Sequence, residues 1–307
     1  MSPKVFIIIL NWNNWSDTLE CLESLKNNDY LNEQVVIIDN GSDQRPIVPE
    51  PGIKIIYNKE NLGFAGGNNV GLKYALEHGA DYVLLLNNDT IVSRDFLTKL
   101  IEAGEKDKKF GLLGLKIYLA NREKELGNTS AKQERIWFAG GKVNWLSNKG
   151  EMRGWGENDK GQYDRPAFQE TEYVTGCCLL IKKEVVEKIG LMPEEYFLYY
   201  EDTDWSLKAR QAGFKCIFVP GARIWHKGSQ SSIEGSPFYI YYHVRNGLIL
   251  AQRYAPWHIK PLVHLDALWR IKKQVIKLIF FPKRRLWAKY ILLGIKDFYL
   301  GHRGRLR

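Results

Sequence analysis

The chain has 307 residues, 45% hydrophobic and 26% charged, a balance that excludes an intrinsically disordered protein. No apolar run approaches the roughly 20 residues a spanning helix needs, and Val5 to Leu10 are too few for a signal-peptide core. The net charge of +9 is unevenly placed: residues 251–307 hold 14 Lys and Arg against Asp266 and Asp297, leaving 30 basic and 33 acidic residues in 1–250.

In chain order, KVFIIIL (4–10) reads as a buried strand. Asp17, with Glu20 three residues on, offers a helix cap, and Leu19, Leu22 and Leu25 recur at helical spacing. QVVIID (34–39) and IKIIY (53–57) read as strands, NVGLKYALEHG (69–79) as a helix stopped by glycine, and YVLLL (82–86) as a fourth strand. Strands alternating with helices predict an α/β fold, a mostly parallel central sheet flanked by helices. Residues 120–170 are polar, Gly-rich and poorly periodic, which suits loops and small strands over the sheet. Trp205, Leu207, Ala209 and Ala212 fit a helix ending before Gly213, and the next strand closes at His226. Cys21, Cys177, Cys178 and Cys216 lack framework spacing and read as reduced core thiols of a cytosolic protein. The sequons at Asn40, Asn88 and Asn128 then carry no glycan.

Sheets of this kind bind ligands beyond the carboxyl ends of their strands. Polar residues gather there: Asn11-Trp12-Asn13-Asn14, Asp39-Asn40-Gly41-Ser42-Asp43, NLGFAGGN (61–68) and Asn87-Asn88-Asp89. One such loop is an ordinary turn. Four on the same edge point to a ligand. GFAGG lacks the G-x-G-x-x-G spacing and follows the third strand, which argues against a dinucleotide. A nucleoside diphosphate neutralised by a metal fits better, because Asp89 supplies a hard oxygen of the kind Mg²⁺ or Mn²⁺ prefers. A second polar cluster, Glu201, Asp202 and Asp204, crowds the start of the later helix among Phe197, Tyr199, Tyr200 and Trp205. Partly desolvated carboxylates of this kind suit a general base.

The motifs IIILNWNN, VVIIDNGSD, NLGFAGGNNVGL, LLLNNDT, TGCCLLIKKEVVEKIGLMPEEYFLYYEDTDW and IWHKGS run in order over residues 4 to 230. Together they resemble inverting family-2 glycosyltransferases with the GT-A fold, in the bacterial rhamnosyltransferase-like branch. The resemblance implies nucleotide-sugar contacts from Asn11, Trp12, Asp39, Asn61, Gly66, Gly67, Asn68, Asn87 and Asn88. It implies a divalent ion, Mg²⁺ or Mn²⁺, on Asp89 with His226 as second ligand. It makes Asp202 the catalytic base, with Glu201, Asp204 and Trp205 toward the acceptor. Asn87 stands where the family's D-x-D begins with aspartate.

The expected organisation is a GT-A domain over 1–250, its nucleotide-sugar half at about 1–118 and its acceptor half at about 119–250, then a basic amphipathic helical tail over 251–307. The expected donor is a dTDP- or UDP-sugar, with dTDP-L-rhamnose favoured, and the expected acceptor a saccharide or lipid-linked saccharide. A tail that alternates apolar and basic residues suits peripheral contact with an anionic membrane, at the inner face of the cell membrane. A nucleotidyltransferase would carry a basic Gly-rich loop where this chain has NWNNW. A nucleic-acid-binding protein would use the tail but leaves the acidic edge unexplained, so nucleic acid is not expected among the partners.

Overall fold

The computed structural model describes residues 2–44, 53–120, 134–228 and 235–306. Strand β1 (Val5–Asn11) lies in the middle of the parallel half of the sheet, with β2 (Glu33–Asp39) on one side and β4 (Tyr82–Asn87) on the other, and β3 (Lys54–Tyr57) beyond β2. Both faces of β1 are buried, so the strand reads as a continuous apolar run with no polar alternation. Val5, Ile7 and Ile9 pack with helices α1 (Trp15–Leu25) and α3 (Phe96–Gly104). Phe6 and Ile8 pack on the other face with α2 (Gly63–Glu77), α4 (Lys183–Ile189) and α5 (Glu201–Gln211).

Beyond β4 the sheet turns mixed. Strand β11 (Cys178–Lys182) runs antiparallel between β4 and β6 (Phe110–Leu119). The long β12 (Lys215–His226) then pairs parallel with β6, and β10 (Gln169–Thr171) closes that edge. Short β5 (Thr90–Val92) pairs β12, and β7 (Ile136–Phe138) pairs β6. A separate hairpin joins β8 (Gly141–Asn144) to β9 (Lys149–Met152), so the 120–170 region holds small strands as expected, while its residues 121–133, including Asn128, lie outside the described ones. All four cysteines are free and buried.

Two local expectations are corrected. Asp17 is not the cap of α1, which begins at Trp15. Asp17 lies in its first turn and accepts from Asn14 Nδ2 at 2.5 Å and from Lys227 Nζ at 3.1 Å. Helix α2 begins six residues earlier than its periodicity predicts, because the Gly-rich stretch is itself helical. Glycine is a poor helix former, but here it permits close approach to the sheet. A Cβ on Gly67 would meet Leu10 Cδ1 at 2.4 Å, and one on Gly71 would meet Ile8 Cγ2 at 2.4 Å.

Three helices complete the chain: α6 (Pro237–Tyr254), α7 (Lys260–Phe280) and α8 (Arg285–Tyr299). Ser236 caps α6, accepting from Tyr239 N, with Pro237 at its first position. The change of charge at 250 therefore falls inside a helix. Helix α8 folds back on α6 so closely that a Cβ on Gly294 would meet Tyr241 O at 2.9 Å, and Tyr241 donates to Asp297 Oδ2 at 2.6 Å. Helix α7 buries little beyond Val263, Ala267 and Gln274 and exposes Leu265, Leu268, Trp269, Ile276, Ile279 and Phe280. No described helix is long and apolar enough to cross a membrane.

Candidate active site

Parallel register brings the polar strand ends level. Asn11 pairs with Asp39 across β1 and β2, and Leu10 pairs with Asn87 across β1 and β4. Asn11 is fully buried; its amide donates to Asp39 Oδ1 and Ser42 Oγ, both at 3.2 Å, and its carbonyl accepts from Thr18 Oγ1 at 2.9 Å and Asn88 Nδ2 at 3.4 Å. Asn88 also donates to Asn14 O and Thr18 Oγ1, both at 3.0 Å, so both asparagines brace the edge from beneath. Asp39 Oδ1 accepts from the Ser42 hydroxyl as well, while its buried Oδ2 has no hydrogen-bond partner. Burying a carboxylate oxygen without a donor is costly. It leaves Oδ2 ready for an N–H or O–H from a ligand. Trp12, beside it, is 42% exposed.

Asn40 was missed as a positioning residue, although it sits inside a quoted motif. Buried, it donates to Asn61 Oδ1 and Gly63 O at 3.1 Å and accepts from Asn58 Nδ2 at 3.0 Å and Leu62 N at 3.1 Å, pinning the start of α2. Asn61 Oδ1 also accepts from Gly63 N at 2.8 Å. Gly66, Gly67 and Asn68 differ from expectation. Gly66 and Gly67 are buried in the helix, where Gly67 packs on Leu10, and Asn68 is buried with its amide donating to Phe64 O at 3.0 Å. Of the three, Gly67 reports helix packing against the sheet, while a Cβ on Gly66 would meet Leu62 Cβ at 2.9 Å.

Asp89 and His226 are 137 positions apart and meet through the β5–β12 ladder, which pairs His226 with Thr90. Lys227 N donates to Asp89 O at 2.9 Å, and the Lys227 ammonium is held by Asp17 and Glu20. His226 Nε2 stands 3.2 Å from Asp89 Oδ1 without hydrogen-bond alignment. Both carboxylate oxygens of Asp89 and both ring nitrogens of His226 are buried and unpartnered. One hard carboxylate and one imidazole in that state fit Mn²⁺ or Mg²⁺. No third His, Cys, Asp or Glu joins them among the described residues, so the pair leaves coordination positions for phosphate oxygens and water. Asn87 binds neighbours through its backbone, N–H to Cys177 O at 2.9 Å and C=O from Thr90 Oγ1 at 2.7 Å. Trp137, also missed, meets the His226 ring edge-on at 4.7 Å between centroids.

Asp202 opens α5. Its Oδ1 accepts from Thr203 N at 2.6 Å and Thr203 Oγ1 at 3.1 Å, and its Oδ2 accepts from Gly176 N at 2.8 Å. Burial pushes this carboxyl above its ordinary range, against the lowering effect of those donors. A Cβ at Gly176 would meet Phe64 Cε1 at 2.8 Å, so a side chain there would displace the Phe64 ring. The strip Thr175–Cys177 thus spans the two clusters: Gly176 donates to Asp202, and Cys177 accepts from Asn87. Burial drives the Cys177 thiol well above its ordinary value.

The neighbours of Asp202 serve differently from expectation. Trp205 is fully buried, its indole donating to Gly190 O at 3.0 Å, and has no surface to offer an acceptor. Asp204 is buried and accepts from Tyr196 Oη at 2.7 Å, Arg253 Nη1 at 2.8 Å and Tyr254 Oη at 3.0 Å, which ties α5 to α6. Glu201 is buried with Oε2 unpartnered, and burial, then the Asp202 charge, holds its carboxyl well above the usual range.

The fold defines the architectural class, GT-A. Two solved structures share that fold. GalNAc-T7 with UDP, GalNAc and Mn²⁺ superimposes at a TM-score of 0.65 and 17% identity, over 97% of this chain and 56% of that one. The mannosyltransferase PcManGT from Pyrobaculum calidifontis, in complex with GDP-Man and Mn²⁺, does so at 0.57 and 16%, over 98% and 88%. Residues 6–190 match the family model for glycosyl transferase family 2, and the chain belongs to that family. The dTDP-rhamnosyl transferase RfbF of Shigella flexneri is 24% identical over 296 residues, 91% of this chain and 87% of that protein. The N-acetylglucosaminyl-diphospho-decaprenol L-rhamnosyltransferase of Mycobacterium tuberculosis is 24% identical over 243 residues, 74% of this chain and 78% of that protein.

Proposed function

We propose that this protein is an inverting, metal-dependent rhamnosyltransferase that moves L-rhamnose from dTDP-L-rhamnose to a lipid-linked saccharide at an anionic membrane surface. What carries the reading is the strip Thr175–Cys177: Gly176 N donates to Asp202, and Cys177 O accepts from Asn87 N two residues before Asp89, whose carboxylate and the His226 ring are buried with no hydrogen-bond partner. Asp89 and His226 would hold Mg²⁺ or Mn²⁺, which supplies charge compensation for the departing diphosphate. Asp39 Oδ2 accepts an N–H from the nucleotide base, and exposed Trp12 offers it a stacking face. Asp202 Oδ2 spends one lone pair on Gly176 and keeps the other for the acceptor hydroxyl. As that oxygen attacks the anomeric carbon from the face opposite the diphosphate, the carboxylate takes its proton and the centre inverts. The donor preference draws on the rhamnosyltransferase relatives. With Mn²⁺ present, dTDP-L-rhamnose is expected to be hydrolysed or transferred in preference to UDP- and GDP-hexoses, read as release of nucleoside diphosphate. Preferential release from a UDP- or GDP-hexose overturns the rhamnose assignment.

The membrane part concerns α7 and α8. Exposed Leu265, Trp269, Ile276 and Phe280 share one stripe of α7, and Lys272 and Lys273 lie over the Trp269 ring at 5.7 and 4.9 Å. An apolar stripe beside basic side chains matches the headgroup region of an anionic bilayer. Cutting the chain near 252 would also strip the α8 contacts from α6, so substitution is the cleaner test. Trp269→Glu with Ile276→Glu is expected to reduce co-sedimentation with phosphatidylglycerol vesicles roughly tenfold or more, the scale of losing two inserted apolar side chains. High salt should release the wild type. Equal sedimentation of both proteins removes the membrane role.

A further inference from the structure

The turn leading into Asp202 is strained. Phe197, Tyr199 and Tyr200 have φ of +65°, +67° and +74°, a region that residues with a Cβ rarely adopt. Three such residues in four need support from outside the turn. Helix α6 provides it. Fully buried Asn246 donates its amide to the carbonyls of Tyr196 at 3.1 Å, Leu198 at 2.8 Å and Tyr199 at 3.0 Å. Arg245 Nε donates to Asn246 Oδ1 at 2.9 Å, which fixes the direction in which the amide points. The buried guanidinium also donates to Tyr196 O at 2.9 Å and Gly304 O at 2.7 Å, and lies over Tyr241 and Tyr242. Gly304 N donates to Glu195 O at 2.7 Å, so the segment after α8 closes the clasp.

On its other side the turn reaches the donor half. Phe64 N donates to Phe197 O at 2.7 Å, and a Cβ on Gly63 would meet that oxygen at 2.3 Å. Turn 197–200 is thus one continuous piece between the start of α2 and the start of α5. Polar side chains such as Arg and Asn in an otherwise apolar helix face are costly unless bonded. Apart from Arg245 Nη1 donating to Tyr241 Oη at 3.2 Å, the bonds they make end on, or orient toward, that turn and its clasp.

We infer that Asn246, oriented by Arg245, is a positioning residue that holds the strained turn 197–200 and thereby places the Asp202 carboxylate against the donor half. The inference rests on reading Asp202 as the base. A merely structural Asn246 would cost stability alone. The test uses the full chain carrying Asn246→Ala, with Leu248→Ala on the same helix as the stability control. Asn246→Ala is expected to lower kcat with dTDP-L-rhamnose and Mn²⁺ by about 10-fold to 10²-fold, the scale of a misplaced catalytic group, while the Kd for dTDP stays unchanged. Amide hydrogen exchange should rise over residues 197–203 and stay unchanged in β1 and β4. Leu248→Ala, at a similar loss of Tm, should retain kcat. Equal kcat losses in the two variants, or unchanged exchange over 197–203, overturns the inference. If Asn246→Ala does not fold, Arg245→Lys serves, because it keeps the charge and removes the Nε–H that orients the amide, and the same split is expected. If the wild type hydrolyses no rhamnosyl donor, the donor assignment fails, and the exchange comparison still decides the role of Asn246.

Discussion

Replacing Asp202 by asparagine is expected to leave dTDP binding intact and to lower turnover by about 10²-fold or more, the scale of removing a general base. The substitution is nearly isosteric. Oδ1 can still accept from Thr203, and only the oxygen facing Gly176 risks replacement by NH₂. The proposed nucleotide contacts, Asp39 and Trp12, belong to the ends of β1 and β2, not to α5, so binding and turnover should separate. The pH profile adds a second readout. Burial holds the Asp202 carboxyl above its ordinary range, and a base must be ionised. Wild-type kcat/KM should therefore fall as pH drops through a value above the usual carboxylate range, and Asp202→Asn should lose that limb. A larger defect in Glu201→Gln would transfer the role to Glu201, whose carboxyl burial keeps protonated further up the pH scale.

The second large effect is at Asp89. Asp89→Ala is expected to reduce transfer by about 10³-fold, several kcal/mol of lost charge compensation for the leaving group. Without metal its Tm should be unchanged or raised, since the change removes a buried carboxylate with neither oxygen hydrogen-bonded. The rise in Tm that Mn²⁺ and dTDP together give the wild type should disappear. Near wild-type transfer by the variant would reduce Asp89 to a turn residue. A fall in Tm without metal would show that the carboxylate stabilises the fold.

Much of the fold was legible because it is written in short periods. The runs at 4–10, 34–39 and 82–86 are buried on both faces or nearly so, and continuous apolarity records that directly, while the edge run at 53–57 is only half-buried. The polar ends of those strands were legible for the same reason, since parallel strands that start together also end together, as the Asn11–Asp39 pairing does. The helical Gly-rich start of α2 was not. A low propensity was overridden by contact of Gly67 and Gly71 with β1, a partner some sixty positions away.

The site divides along the same line. By itself the sequence determined which side chains could do chemistry, because Asp89, Asp202 and Asp39 sit in local patterns that break an apolar run with oxygen. Only the tertiary structure decided which of them remain available. Trp205 and Asp204 stand beside Asp202 in sequence, yet the helical turn aims them into the core and toward Arg253. His226 reaches Asp89 only through the register of β5 on β12, and Asn246 reaches the strained turn only because α6 crosses behind it. Periodicity tells which face of an element is apolar. Which partner that face meets depends on long-range register and packing, and that partner decides whether a polar atom is satisfied or left for a ligand.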